Sequence, residues 1–287
     1  MSDKPARVAI ATGDPEGIGP EISLKAARDP QVLAMCEPVL IDGRGPVAAL
    51  DAAETAIRGA LEGKYDAVVA APHVEATINA AGVAFDGYPS FVARVCGLPP
   101  EDGVLMLCFS HRGREIRIAH VTLHTSVHRA LGLISKERIS KTIKAVHVAL
   151  EQLGIQKPRL AVGGVNPHAG EGGLFGDEEA TSVTPGILDA RKSGIDVDGP
   201  FGADTLMQRE AYDAFVVMLH DQGHVAAKLL APNRVAALTV GTPVLFSSVA
   251  HGAALDIAGR GTADHSAMIE AITRLVGHRR RSSATRA

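Results

Sequence analysis

Short apolar runs alternate with segments of helical periodicity along nearly all of the 287 residues. The apolar runs are rich in Val, Ile and Ala and predict strands at Arg7–Ala11, Val39–Ile41, Ala67–Ala71, Val104–Cys108, Ile116–Val121, Leu160–Val165, Ala214–Met218 and Ala236–Val240. The amphipathic segments predict helices at Gly19–Ala27, Ala48–Leu61, Lys136–Leu153, Gly186–Lys192 and Ser266–Leu275. Charged and apolar residues alternate over Arg114–His120, which indicates an edge or antiparallel strand there. The order of elements predicts an α/β fold with a mainly parallel sheet covered on both faces.

The composition argues against nucleic-acid and membrane proteins. The formal net charge is only −3, so no general basic field attracts nucleic acid or an anionic membrane. The chain has no Trp, three Tyr and seven Phe, which is too few for base-stacking platforms. No apolar run approaches the roughly 18 residues that span a bilayer. Cys36, Cys96 and Cys108 are widely spaced, which suits a reducing compartment, so we expect a cytoplasmic protein.

A glycine-rich turn, GDPEGIGPE over residues 13–21, separates the first predicted strand from the first predicted helix. Gly17 and Gly19 permit close approach of the backbone to a ligand, and Pro20 suits a first helical turn. The segment matches neither the GxGxxG pattern nor a P-loop. A tight structural turn explains it equally well.

A second loop, GVNPHAGEGG over residues 164–173, ends a predicted strand and contains His168, Glu171 and four glycines. Loops at the carboxyl ends of parallel strands are where α/β proteins bind ligands. A purely structural loop rarely needs so many glycines and titratable groups together. We therefore favour a functional role for this loop.

Histidines cluster at the ends of two further predicted strands. His220 and His224 are four residues apart, which places them on one face if the segment is helical, although Gly223 makes a loop as good a prediction. We expect His224 to be a surface or capping residue. Strand alternation would send His120 and His124 to one side. Three neutral imidazoles with open coordination positions can hold a catalytic divalent cation, but such pairs are also common as structural residues.

A final glycine-rich stretch contains His251 and then the cationic turn Gly259-Arg260-Gly261. A contact with a phosphate or an adenosine phosphate and a simple helix stop are equally good explanations of this turn.

Five motifs occur in a fixed order along the chain: GDPEGIGPE, NPHAGEGG, GPFGADT, HDQG and SSVAHGAALDIAGRG. With them the chain resembles the 4-hydroxythreonine-4-phosphate dehydrogenase (PdxA) family along nearly its whole length. The resemblance implies two α/β/α lobes flanking a cleft, as in isocitrate and isopropylmalate dehydrogenases, and an obligate homodimer. We place lobe one in residues 1–88 and 240–287, and lobe two, with the metal and dimer contacts, in residues 89–239.

The resemblance also implies the site residues. A divalent cation is expected on His124, His168 and His220, shared between subunits, and these ligands do not distinguish Zn, Co, Mn and Ni. Matching positions give the active-site residues Asp204 and Lys228, and Asp221 is a further candidate for orienting a histidine or relaying protons. NAD or NADP is expected at a set of six residues: Asp14, Gly17, His251, Gly259, Arg260 and Gly261.

The substrate region departs from the vitamin-pathway members of the family. Gly87-Tyr88-Pro89-Ser90 stands where Gly-His-Thr is expected, and Ala237 and Phe246 replace an Asn and an Arg. These changes remove natural partners of a phosphate, although Lys228 is retained. Three stretches resemble instead the terephthalate dihydrodiol dehydrogenase subfamily: APHVEATINAAGVAFDGYPS, HVTLHTSV and MLHDQGHVAAKLLAPN.

In this interpretation Tyr88, Pro89, Ser90, Lys228, Ala237 and Phe246 bind substrate. Tyr88 and Phe246 suit a flat ring better than a phosphate. Around Gly43–Ala48 the chain lacks a segment that relatives carry.

The sequence therefore predicts a metal-dependent, NAD(P)-linked enzyme that oxidises and decarboxylates a β-hydroxy acid, a small-molecule substrate. A cis-dihydrodiol dicarboxylate giving protocatechuate is the preferred substrate. The alternatives are 4-phosphohydroxythreonine or a phosphorylated sugar acid and, from another class, a metal-dependent hydrolase or acyltransferase.

Overall fold

The computed structural model describes residues 4–44, 47–83, 85–232 and 234–284. Its strands are β1 (Ala6–Ala11), β2 (Cys36–Ile41), β3 (Ala67–Ala70), β4 (Val104–His111), β5 (Arg114–His120), β6 (Arg159–Gly163), β7 (Asp196–Phe201), β8 (Ala214–Val217), β9 (Ala236–Val240) and β10 (Phe246–Val249). Its α-helices are α1 (Gly19–Arg28), α2 (Pro30–Met35), α3 (Ala48–Leu61), α4 (Glu75–Ala80), α5 (Tyr88–Val95), α6 (Val127–Leu133), α7 (Lys136–Gln152), α8 (Thr184–Lys192), α9 (His220–Leu230) and α10 (Ser266–Ala284).

Local capping explains where several helices begin. The Ser135 side chain accepts a hydrogen bond from the Arg138 amide at the start of α7, and Ser126 accepts one from Arg129 at the start of α6. Asp29 accepts one from the Gln31 amide at the start of α2. Each cap satisfies a backbone N–H that has no partner inside its own helix.

The chain divides into two compact units. The first unit comprises Met1–Gly103 and Asn233–Ala287, and the second comprises Val104–Pro232. These boundaries differ from those that we placed after residues 88 and 239. Tyr88 and Val92 pack into the core of the first unit, and β9 pairs with β10, so α5 and β9 both belong to that unit.

In the first unit β1 lies between β2 and β3 and is parallel to both. β10 extends this sheet parallel to β3, and β9 pairs antiparallel with β10. The strand β1 is buried along almost its whole length, which agrees with its unbroken apolar sequence. The turns that follow β1, β3 and β10 therefore lie at one edge of this sheet.

In the second unit β5 pairs antiparallel with β4 and parallel with β8. β6 is parallel to both β8 and β7. The predicted antiparallel strand at Arg114–His120 is confirmed by its pairing with β4. It is not an edge strand, because β8 pairs with its other side. The carboxyl ends of β5, β6 and β8 lie at the same edge, and the histidine-bearing loops follow those ends.

The largest side chains in the core of the first unit are aromatic. Phe246 is fully buried, and its ring centroid lies 5.2 Å from that of Tyr88. Alanine, valine, leucine and isoleucine side chains fill the rest of this core, and many of the alanines come from helix α3. A sheet and helices this rich in alanine pack closely, so the few aromatic rings define the shape of the core.

No helix among the described residues has the length and apolar character that a membrane span requires.

Candidate functional site

The loop NPHAGEGG follows β6 in the second unit and adopts an unusual backbone. A run of residues has positive φ, namely His168 (53°), Ala169 (54°), Gly170 (82°), Glu171 (46°) and Gly172 (67°). A left-handed conformation costs a non-glycine residue on the order of 1 kcal/mol. The His168 side chain is 66% exposed, and its Nδ1 lies 3.1 Å from Glu171 Oε2. The loop therefore presents an imidazole outward whose other ring nitrogen, Nε2, faces away from Glu171.

The base of this loop rests on Glu179, a carboxylate that is only 6% exposed. Its Oε1 accepts hydrogen bonds from the amides of Val165 (2.7 Å) and Asn166 (2.8 Å). Its Oε2 accepts one from Asn166 Nδ2 at 2.9 Å. Burial works to raise the pKa of Glu179, but these hydrogen bonds outweigh it and hold the pKa below its ordinary value. The motif analysis did not select this residue.

His220 begins helix α9, where its Nδ1 lies 2.6 Å from Asp221 Oδ1. A carboxylate on one ring nitrogen fixes the tautomer and leaves the other nitrogen for a cation. Residues 220–224 lie within α9, so this segment is helical and not a loop. The His224 ring is stacked on that of His220, and it is half-buried and not a free surface residue.

Gln222 joins the beginning of α9 to the end of β6. Its Oε1 accepts hydrogen bonds from the amides of Met218 and Leu219, at 2.9 and 3.0 Å. Its Nε2 donates to the Gly164 carbonyl at 3.0 Å. The glutamine of HDQG thus fixes the position of His220 relative to the loop that carries His168. Sequence reasoning missed this role because Gly164 lies 58 residues away.

Two of the three predicted metal ligands approach each other within one chain. The ring centroids of His124 and His220 lie 5.6 Å apart. β5 ends at His120 and the chain then bends along the end of β8, so His124 is not part of the strand. The rings of His120 and His124 nevertheless both lie beside that of His220, with centroid distances of 6.4 and 5.6 Å. His120 is buried and His124 is exposed.

Within the described residues, no three His, Cys, Asp or Glu side chains come together as a ligand group. The donors present nevertheless fit a divalent cation of borderline softness, because two imidazoles face each other and one of them carries a carboxylate on Nδ1.

His120 lies behind this pair, 3% exposed, with its Nδ1 3.4 Å from the Leu105 carbonyl. Burial, followed by repulsion from His224, lowers the pKa of His120 to about 3. The ring is thus neutral at physiological pH and packs against α9, where a Cβ on Gly223 would lie only 2.3 Å from His120 Nε2.

Two further predicted residues lie in the same unit. A Cβ on Gly202 would lie 2.7 Å from Asp204 Oδ1 and 3.7 Å from the His168 Cα, so the GPFGADT segment adjoins the His168 loop. Lys228 is exposed and follows His220 and His224 at four-residue spacing on α9. Burial lowers the pKa of His224 to about 4, and the charges of His220, His124 and then Lys228 add to this effect. The structure therefore places Lys228 on the helix face that carries the histidines.

In the first unit the glycine-rich turn packs on the segment that contains His251. The Ile18 amide donates to the Ala253 carbonyl at 2.9 Å, and a Cβ on Gly17 would lie 2.8 Å from the Ala253 Cβ. His251 Nδ1 lies 3.1 Å from the Gly252 carbonyl. The close approach that Gly17 permits is therefore to another backbone segment.

An ion pair on α1 holds the Gly259-Arg260-Gly261 turn. Lys25 Nζ donates to Glu21 Oε1 (2.8 Å) and to the carbonyls of Gly261 (2.9 Å) and Ala263 (2.8 Å). Glu21 accepts hydrogen bonds from the amides of the same two residues. Arg260 is exposed at this turn. Glu21 belongs to a predicted motif, but its partners lie about 240 residues away, which sequence spacing could not reveal.

Asp14 is 7% exposed, and its Oδ1 accepts a hydrogen bond from the Glu16 amide at 3.0 Å. It borders a cavity of about 110 Å³ that Glu16, Ala48 and Thr77 also line. Gly13, with φ 76°, lets the turn pass close to the Pro72 carbonyl. Asp14 therefore has a structural role in this turn and also faces the cavity.

The predicted substrate residues of the first unit lie mostly in its core. Phe246 is fully buried, Ala237 is 7% exposed and Tyr88 is 5% exposed, with its hydroxyl donating to the Ala71 carbonyl at 3.3 Å. Pro89 is buried, and the Ser90 hydroxyl is hydrogen-bonded to Asp86 and to the Gly87 carbonyl. In this structure none of the three aromatic or apolar side chains Tyr88, Ala237 and Phe246 presents an open face.

Comparison with known proteins places these features in context. The model of the family described as pyridoxal phosphate biosynthetic protein PdxA matches residues 21–275. A relative from Comamonas sp., 1,2-dihydroxy-3,5-cyclohexadiene-1,4-dicarboxylate dehydrogenase, is 42% identical, with 94% of this chain and 96% of that protein covered. The alignment spans 311 positions, more than the 287 residues of this chain, so relatives carry residues that this chain lacks. The predicted gap at Gly43–Ala48 lies partly outside the described residues.

Solved structures agree with this similarity. A terephthalate 1,2-cis-dihydrodiol dehydrogenase from Burkholderia xenovorans LB400 matches with a TM-score of 0.72 and 37% identity, covering 96% of this chain and 99% of that one. A 4-hydroxythreonine-4-phosphate dehydrogenase from Klebsiella pneumoniae matches with a TM-score of 0.80 and 29% identity, covering 94% and 98%. The fold alone is also shared with an isocitrate dehydrogenase from Methylococcus capsulatus (TM-score 0.59, 15% identity, covering 98% and 88%). The predicted α/β fold of the isocitrate dehydrogenase type is confirmed.

Proposed function

Because the chain belongs to the pyridoxal phosphate biosynthetic protein PdxA family, we propose that it is a metal-dependent, NAD(P)-linked dehydrogenase of a β-hydroxy acid. The substrate that we propose is a cis-dihydrodiol dicarboxylate, which is oxidised and decarboxylated to protocatechuate. One observation carries this choice, namely the 42% identity to the Comamonas dihydrodiol dicarboxylate dehydrogenase over 94% of the chain. The loss of phosphate partners at Ala237 and Phe246 supports it.

We assign the metal site to His124, His168 and His220. These three imidazoles would hold a divalent cation, which would supply Lewis-acid polarisation of the substrate oxygen. His124 and His220 are neighbours in one chain, with ring centroids 5.6 Å apart. His168 is exposed on its own loop. In our proposal a second copy of the chain therefore supplies His168, so the enzyme is a homodimer with shared sites.

The surrounding residues orient the site and move protons. Asp221 accepts from His220 Nδ1, which would leave Nε2 of that ring available to hold a cation. Lys228 binds a carboxylate of the substrate or returns a proton to the product. Asp204, which borders the His168 loop, takes the proton of the substrate hydroxyl or orients the histidine.

The reaction balances in two steps. A bound nicotinamide would accept the hydride from the C–H bond of the secondary alcohol while the hydroxyl proton passes to a base, which leaves a β-keto acid. The bond to the neighbouring carboxylate then breaks, carbon dioxide leaves, and the electron pair forms an enolate, whose oxygen takes back a proton to give the enol. In the ring substrate this enol is a catechol, so aromatisation drives the step.

The nicotinamide cofactor is assigned to the first unit. Asp14 and Gly17 belong to the turn after β1, and His251 and Gly259-Arg260-Gly261 belong to the segment that packs on it. Arg260 provides an exposed positive charge for a phosphate group of the cofactor.

The experiment is to follow nicotinamide reduction by the metal-loaded protein with the dihydrodiol dicarboxylate and with 4-phosphohydroxythreonine, each offered with NAD and with NADP. Reduction with release of protocatechuate is expected for the dihydrodiol. Turnover of the phosphorylated compound alone would contradict the substrate, and product formation without nicotinamide reduction would indicate a hydrolase or acyltransferase.

Retained Lys228 favours one second candidate, the oxidation of 4-phosphohydroxythreonine or a phosphorylated sugar acid. Its exposed ammonium on α9 is a natural partner for a phosphate. The same pair of substrates distinguishes this candidate from the first.

A further inference from the structure

Glu179 is a buried carboxylate that accepts hydrogen bonds from the stem of the His168 loop. Its two oxygens accept from the amides of Val165 and Asn166 and from the Asn166 side chain, all within 2.7–2.9 Å. Two glycines complete the arrangement, because a Cβ on Gly164 would lie 2.9 Å from Oε1 and one on Gly170 would lie 2.8 Å from Oε2. The carboxylate therefore lies directly against both the start and the apex of the loop.

The loop needs such support because its own backbone is unfavourable. His168, Ala169 and Glu171 adopt positive φ in succession, although none is a glycine. A strained segment persists only where surrounding contacts over-determine it. Three further contacts hold the stem: Gln222 Nε2 donates to the Gly164 carbonyl, the Gly164 amide donates to the Phe201 carbonyl at 2.8 Å, and Asn166 Nδ2 also donates to Glu178 Oε2 at 2.6 Å. Glu179 lies against both the stem and the apex of the loop.

We propose that Glu179 is a positioning residue of the metal site, holding the left-handed loop so that the His168 imidazole is presented outward to a cation. This inference rests on the proposed function, in which His168 is a metal ligand. Glu179 itself touches neither cation nor substrate. It acts through the amides at the loop stem, as residues behind a ligand commonly do.

Charge and geometry both matter in this role. A carboxylate accepts three N–H donors here, whereas a glutamine side chain presents an amide group that donates. In Glu179→Gln, one oxygen still accepts from the stem amides, but the new NH₂ faces the donor of Asn166. We expect the stem to shift and the loop to sample other conformations while the helices and strands stay folded.

The test compares Glu179→Gln with Asp189→Asn, a matched loss of a carboxylate in the same unit. Asp189, on α8, accepts from Ser140 and Lys144, which both lie on α7. Cobalt(II) affinity is measured by competition with a chelator, the visible absorption of the cobalt-loaded dimer is recorded, and the thermal midpoint of each metal-free protein is determined.

We expect Glu179→Gln to bind cobalt about 10 to 100 times more weakly, with an altered spectrum, while Asp189→Asn binds as the wild type does. Wild-type affinity and spectrum in Glu179→Gln would overturn the positioning role. An equal loss in both variants would also overturn it, because the effect would then be a general loss of stability.

If Glu179→Gln does not fold, Gly170→Ala provides the second variant, because its methyl group would occupy the space beside Oε2 without removing the carboxylate. It should weaken cobalt binding in the same way, and unchanged binding would overturn the role.

His168→Ala separates the two proposals. If that variant binds cobalt normally, the three-histidine site is wrong and the role of Glu179 falls with it. If it loses cobalt while the Glu179 and Gly170 variants do not, only the positioning role is wrong.

Discussion

The imidazole rings of His220 and His224 stack face to face, with centroids 3.7 Å apart and planes inclined by 8°. His224 Nδ1 also lies 3.1 Å from the His220 carbonyl one helical turn earlier. His220 is thus held on one side by a parallel ring and at its Nδ1 by Asp221. A proposed ligand with so few accessible rotamers is pre-organised for its cation.

Removing the His224 ring should release His220. We expect His224→Ala to weaken divalent-cation binding by about tenfold, the lower end of the range for residues behind a ligand. His224→Phe keeps a ring to stack on and should retain most of the affinity. Isothermal titration of both variants with zinc checks this, and an equal loss in both would show that the nitrogen of His224 matters and not its ring.

Gly223 faces His120 so closely that the helix tolerates no side chain there. A Cβ would lie 2.3 Å from His120 Nε2 and 2.9 Å from Ile118 Cγ2. Replacing glycine by alanine inside a helix ordinarily stabilises it by up to about 1 kcal/mol. Here overpacking should reverse the sign, and Gly223→Ala should lower the free energy of unfolding by about 1–3 kcal/mol.

Gly132→Ala in α6 is the matched control, because a Cβ there meets nothing within 4 Å. It should be neutral or stabilising in the same urea titration. Combining Gly223→Ala with His120→Ala should give a variant more stable than the sum of the two single changes predicts. Strict additivity would mean that the two residues do not contact each other as described.

Much of the fold could be predicted from apolar runs alone. The predicted strand at Ala236–Val240 and the helix at Ala48–Leu61 have the observed bounds, and the other predicted elements overlap observed ones. Two strands were missed. β7, with the sequence DVDGPF, and β10, with the sequence FSSV, lack continuous apolar runs, although β10 is buried throughout. Tertiary packing overrides local composition at both.

The helix α9 shows why part of the site was not predictable. The glycine at position 223 predicted a loop, but the segment is helical. A glycine is needed there because His120 approaches the helix closely, and not because the backbone adopts an unusual conformation. The roles of Gln222, Glu179 and Glu21 depend on partners 58, 13 and about 240 residues away. The resemblance to the family pointed to the histidines, which carry the proposed chemistry, but not to the residues that position them.

Asp189 makes the stability of the fold depend on pH in the acidic range. The Ser140 hydroxyl, followed by the Lys144 ammonium, lowers the pKa of Asp189 from 3.8 to about 2. A lowered carboxyl pKa stabilises the fold fully above the unfolded value of 3.8 and loses this effect as the pH falls towards about 2. Ser140→Ala should therefore lower the urea midpoint at neutral pH, and its difference from the wild type should narrow below pH 3.8. A difference that stays constant with pH would show that the hydroxyl does not act through this carboxylate.

The ion pair of Lys25 and Glu21 supports the last prediction, which concerns the nicotinamide cofactor. Lys25→Met keeps the apolar stem but removes the ammonium that holds the carbonyls of Gly261 and Ala263. If the Gly259–Gly261 turn binds the cofactor, the KM for the nicotinamide should rise about tenfold, which corresponds to about 1.4 kcal/mol, with little change in kcat.

Lys64→Met is the control, because Lys64 and its partner Glu62 are 64% and 59% exposed and such pairs contribute little. An unchanged KM in Lys25→Met, with a normal thermal midpoint, would mean that the cofactor does not depend on this turn. A raised KM in both variants would point to a general effect of charge. The predicted result is a raised KM in Lys25→Met alone, because Lys25 connects α1 to the turn whereas Lys64 pairs with Glu62.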